Sequence, residues 1–119
     1  MEQKKAWLYM RIDAPEDTGN LLGQQEKELS EYAKALDMLV VGVSSDMGTR
    51  PLDECPGLQG MLLAAANHTM DAVLALSHCH VACEENELAK IIHKLAKYNI
   101  DIYTPGAGSL RVYMTHKVY

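Results

Sequence analysis

The chain has 119 residues, 48% of them hydrophobic and 23% charged, with a formal net charge of −5. That length supports one hydrophobic core and leaves no room for a second domain. The acidic balance argues against a surface that holds nucleic acid by charge alone, and the absence of a leader or of about 18 consecutive apolar residues predicts a cytoplasmic protein with no membrane partner. Three cysteines, Cys55, Cys79 and Cys83, are an odd and irregular set, which suits a reducing compartment better than a disulfide framework.

Trp7 to Ile12 is apolar except for Arg11 and is ended by Asp13 and Pro15, so it reads as a buried first strand. Residues two apart on a strand share a face, which predicts that Arg11 and Asp13 emerge together at its carboxyl end as an ion pair or a phosphate-binding remnant. Asn20 is placed to cap a helix that starts at Leu21, with Leu22, Leu29, Tyr32, Ala33 and Leu36 recurring at helical spacing. Met38 to Val43 is an apolar, β-branched run that predicts a central or nearly central strand two, followed by a long loop from Ser44 to Cys55. Pro56 suits the first turn of the next helix, whose apolar face is Leu58, Met61, Leu62 and Ala65. Asp71 to Leu76 reads as strand three and Ser77 to Cys83 as the loop at its carboxyl end. Glu84, Glu85 and Glu87 favour a helix amino terminus there, and Leu88, Ile91, Ile92 and Leu95 give that helix its buried stripe. Ile100 to Tyr103 reads as strand four. The tail from Ala107 fits either a strand or a short helix. Strands alternating with helices predict an α/β fold: three layers, with a mainly parallel sheet of four to five strands covered by helices on both faces.

Over residues 6 to 106 this order of motifs resembles the amino-terminal catalytic domain of the serine site-specific recombinases, the resolvase/invertase group. Tyr9-Met10-Arg11-Ile12-Asp13 lies where that family has Tyr-x-Arg-Val/Ile-Ser, and Gln25 lies on its glutamine. Asp53 to Leu62, with Pro56-Gly57-Leu58-Gln59, is similar to its Arg-Pro-Gly-Leu-Gln segment, and His78 to Cys83 lies over its Leu-Asp-Arg-Leu-x-Arg loop. The resemblance implies a DNA strand-exchange lineage in which a serine attacks the phosphodiester while arginines stabilise charge on the phosphoryl oxygens. Here Asp13 replaces that serine. Cys55 replaces the arginine before Pro-Gly, and Cys79, His80 and Cys83 replace Asp, Arg and Arg. Only Tyr9 and Arg11 keep the family's residue type, so the vestigial site is Tyr9, Arg11, Asp13, Cys55, Cys79, His80 and Cys83, with Arg11 and Gln25 as a phosphate-binding remnant.

That pattern predicts a domain that has lost strand cleavage and acts by binding, regulation or self-association, without a cofactor. Its expected partners are a second copy or a related recombinase, with DNA reached only through a region outside this chain, because the family's dimerisation helix would begin near Tyr119. The alternatives are a still-functional recombinase domain, or metal or thiol chemistry in the His78, Cys79, His80, Cys83 loop, whose spacing is poor for zinc. A receiver-like phosphoacceptor role for Asp13 lacks the further acidic and lysine partners such a site needs. Tyr103, Tyr113, Tyr119 and Met114 are candidates for a self-association surface.

Overall fold

The computed structural model describes residues 3–48 and 51–111. Its first strand, β1 (Lys4–Ile12), sets the architecture through two-residue alternation. Ala6, Leu8 and Met10 face one layer, where α1 (Leu21–Ala35) lays Leu29 and Ala33 over them. Tyr9 faces the other layer, where Leu58, Met61 and Ala65 of α2 (Pro56–Ala66) join Leu88, Ile91 and Leu95 of α4 (Glu85–Ala96). The five strands are ordered β2-β1-β3-β4-β5, and β1, β2 (Met38–Met47), β3 (Ala72–Leu74) and β4 (Asp101–Thr104) run parallel to one another. β5 (Gly108–Ser109) pairs antiparallel with β4. The three-layer, mainly parallel α/β arrangement is therefore the one expected.

Several local expectations change. Among the described residues, strand two is an edge strand, paired with β1 alone, and it runs on through Ser44, Ser45 and Asp46 to Met47. Those polar residues pair with Tyr9, Met10 and Arg11 and so shorten the anticipated loop. Val41 is an extra residue between Val40, paired with Ala6, and Gly42, paired with Trp7. A side chain at Gly42 would collide with the Trp7 indole, which lies across it and donates to Ser44 Oγ at 2.9 Å. Strand three is shorter than expected; Asp71 lies outside it and accepts from the Lys5 amide at 2.8 Å. Helix α1 is capped by Asp17, whose carboxylate accepts from Leu21 N at 2.6 Å and Leu22 N at 3.1 Å, whereas Asn20 adopts a left-handed conformation and makes no side-chain cap.

The Ser77 to Cys83 segment contains a one-turn helix, α3 (His78–Val81), rather than loop alone, with Ser77 Oγ accepting from Cys79 N. Glu84 caps α4 by accepting from Asn86 N and Glu87 N, as the acidic run implied. The tail turns helical at Leu110 and Arg111; Tyr113, Met114 and Tyr119 lie outside the described residues. Tyr103 is half-buried against the α1-side core, which removes it as an exposed patch. Among the described residues, no helix is long and apolar enough to cross a membrane.

Candidate functional site

Tyr9 and Arg11 share the α2 face of β1, and Asp46 is the register partner of Arg11 on β2. The buried Asp46 carboxylate accepts from Tyr9 Oη at 2.6 Å, from Gly57 N at 2.8 Å and from Leu58 N at 2.8 Å. It thereby satisfies two amides of the first turn of α2 and places negative charge at the positive end of that helix. Burial pushes the Tyr9 hydroxyl pKa well above its ordinary value, and its bond to Asp46 pushes it further, so Tyr9 remains a neutral donor.

Arg11 is only 9% exposed, and its Nη2 lies 3.9 Å from Asp46 Oδ2 and 2.7 Å from Cys55 Sγ. The expected Arg11–Asp13 ion pair does not form. β1 ends at Ile12, so strand alternation no longer governs the exposed Asp13, and the guanidinium turns to Asp46 on the neighbouring strand. Because the Asp46 oxygens already accept three bonds, the ion pair is long. Gln25 clamps the backbone of Arg11, accepting from Arg11 N at 3.3 Å and donating to Arg11 O at 3.0 Å. Arg11 Nε is buried without a hydrogen-bond partner.

Gly57 gives the Pro56-Gly57-Leu58 segment a physical reason. A Cβ there would run into the Ser45 carbonyl and crowd Asp46 Oδ2, so only glycine lets the first turn of α2 reach the Asp46 carboxylate. Gly57→Ala is expected to destabilise the chain by about 1–3 kcal/mol, because backbone rather than a flexible side-chain end must give way. Chemical denaturation read by tryptophan fluorescence measures this; a neutral or stabilising result would contradict the close approach.

Beyond β3, His78 Nε2 lies 3.5 Å from Cys79 Sγ, and Cys83 Sγ donates to Cys79 O at 3.4 Å. Burial lowers the His80 pKa, and its Nδ1 is buried without a hydrogen-bond partner, so this site disfavours the charged imidazolium. Successive side chains on one helical turn point about 100° apart, which spreads His78, Cys79 and His80. Among the described residues, no three His, Cys, Asp or Glu side chains are grouped to hold a metal ion.

Arg11, Asp13, Cys79, Cys83, Glu84 and Glu87 line an open cleft of about 230 Å³ at the carboxyl ends of the strands. Among the described residues, one guanidinium-bearing and three carboxylate-bearing side chains line it.

No family model and no curated protein matches the sequence. Solved structures do match the fold. The C-terminal catalytic domain of ISC1926 TnpA, an IS607-like serine recombinase, superposes with a TM-score of 0.76 at 21% identity, covering 84% of this chain and 68% of that one. The N-terminal catalytic domain of TP901-1 integrase does so with a TM-score of 0.76 at 21% identity, covering 88% and 79%. A resolvase family site-specific recombinase from Streptococcus pneumoniae gives 0.74 at 17% identity, covering 89% and 74%. The chain has the serine recombinase catalytic-domain fold.

On that recombinase fold, Tyr9, Arg11 and Cys55 form one buried cluster, while Arg11, Asp13, Cys79 and Cys83 share the cleft beside it. His80 is not a lining residue of the cleft but feels the charges of both Asp13 and Arg11. The sequence reading missed Asp46, the acceptor that ties Tyr9, Arg11 and α2 together. The signal was its place two residues beyond Ser44 on the face shared with Gly42, legible only once strand two is extended past Val43.

Proposed function

We propose that this chain is a catalytic-domain relative of the DNA site-specific recombinases that no longer cleaves DNA and serves as a binding or regulatory module. It pairs with its own copy or with a related recombinase, and DNA is engaged through a region outside this chain. The observation that carries this reading is the charge of the cleft: among the described residues Arg11 is the one cation that lines it, set against Asp13, Glu84 and Glu87. Each missing cationic contact to a phosphoryl transition state costs typically ~10²- to 10³-fold in rate. An Asp13 nucleophile would also form an acyl phosphate, which water cleaves readily, where rejoining needs a stable covalent link.

The test is incubation with supercoiled plasmids carrying a library of candidate crossover sites, followed by denaturing electrophoresis. The expected result is neither nicking nor a covalent protein–DNA adduct. An adduct that forms with this chain and disappears on changing Asp13 to Ala would overturn the reading.

A further inference from the structure

The described residues expose eight large hydrophobic side chains, and five of them, Leu39, Val40, Val41, Val43 and Met47, lie on β2. Their exposure follows from the topology. Among the described residues, β2 is the last strand of the sheet on its side, and its only member in the α1-side core is Met38. Register pairs Val43 with Leu8 and Met47 with Ile12, so these side chains project to the same side as residues buried within the fold, but one strand further out, where they stay exposed.

An edge ten residues long presents roughly 33 Å of unpaired backbone. Soluble proteins ordinarily blunt such an edge with lysine, proline or an outward charge. None stands here: Met38–Met47 contains no Lys, Arg, Glu or Pro, and its one charged residue, Asp46, is buried against α2.

We infer that the exposed edge of β2 is a dimerisation surface on which a second copy of this chain docks antiparallel, continuing the sheet across a two-fold axis. The inference rests on the self-association part of the function proposed above and names the surface that would perform it. Charge selects the occupant. Two copies carrying −5 each repel through acidic surfaces such as Glu26, Glu28 and Glu31 of α1, whereas the outer edge of β2 brings no like charges together. An acidic or basic partner would find no charge on this strand to recognise, while an antiparallel pair sets apolar residues of one copy against apolar residues of the other and closes at two subunits. One pair of edge strands lies at the small end of specific interfaces, so the dimer is weak and concentration-dependent.

Sedimentation velocity of the full chain at rising concentration tests this, together with Val41→Lys/Val43→Lys, which changes only exposed positions. The wild type is expected to pass from monomer to dimer, and the double variant to associate at least ~10-fold more weakly. Amide exchange on the wild type gives an answer independent of the variant's folding: protection within residues 39–46 should rise with protein concentration. A dimer that survives both lysines, or that is lost instead on Leu63→Glu at the exposed face of α2, overturns the β2 edge while leaving self-association standing. A wild type that stays monomeric throughout overturns the edge and self-association together. Neither outcome touches the loss of cleavage, which the adduct assay reads separately.

Discussion

Asp46→Asn is expected to destabilise the chain by about 3–5 kcal/mol, the cost of removing one partner of a buried ion pair, which for a domain of this size corresponds to a fall in Tm of about 12–20 °C. The carboxylate accepts from Tyr9, Gly57 and Leu58 and stands 3.9 Å from the buried Arg11. An asparagine of the same shape keeps one accepting oxygen but turns an amide donor toward groups that are themselves donors. It also leaves the guanidinium with Cys55 and Tyr9 as side-chain neighbours but no carboxylate beside it. Thermal unfolding followed by circular dichroism measures the loss, and a change below about 1 kcal/mol would mean that water replaces the carboxylate at little cost.

A double-mutant cycle separates the ion pair from the helix cap. Arg11→Met alone leaves Asp46 with its three hydrogen bonds, so it should cost less than Asp46→Asn. The combined variant should cost less than the sum, by about 1–3 kcal/mol, because the uncompensated cation is gone. Additive losses would assign Asp46 to capping α2 alone.

The layered α/β fold was legible because its signals are local and repeated. Leu29 and Ala33 recur at helical spacing, Ala6, Leu8 and Met10 alternate with Tyr9 along β1, and Pro56 starts α2 where proline is tolerated. What failed depended on which strands become neighbours. The apolar run Met38 to Val43 has the composition of a strand covered on both faces, yet the topology puts it at the edge, and composition does not encode sheet order. Arg11 and Asp13 were paired by alternation along one strand, but the strand stops between them and the partner, Asp46, comes from a strand 35 residues later. Asn20 looked like the cap of α1 because it precedes the helix, whereas Asp17 folds back from three residues before it. The cleft was legible in its members and not in its balance: Glu84 and Glu87 read as helix-start residues, and only the fold carries them to the same opening as Asp13.

That balance decides the second large prediction: Asp13→Ser is expected to restore no detectable cleavage. Restoring a hydroxyl supplies a nucleophile and removes one of the three carboxylates, but Glu84 and Glu87 still line the cleft and Arg11 remains the only cation lining it among the described residues. Arg11 is itself drawn inward, 2.7 Å from Cys55 Sγ and 3.9 Å from Asp46, and burial disfavours the charged form of His80. Cys55, His80 and Cys83 stand where the resemblance implies arginines, and three such contacts at ~10²- to 10³-fold each amount to ~10⁶-fold or more, far beyond what one hydroxyl recovers. The adduct assay with supercoiled plasmid, run on Asp13→Ser beside the unchanged chain, reads this directly. Nicking by the single variant would mean that the cleft accepts a phosphodiester despite Glu84 and Glu87, and would overturn the reading from its charge.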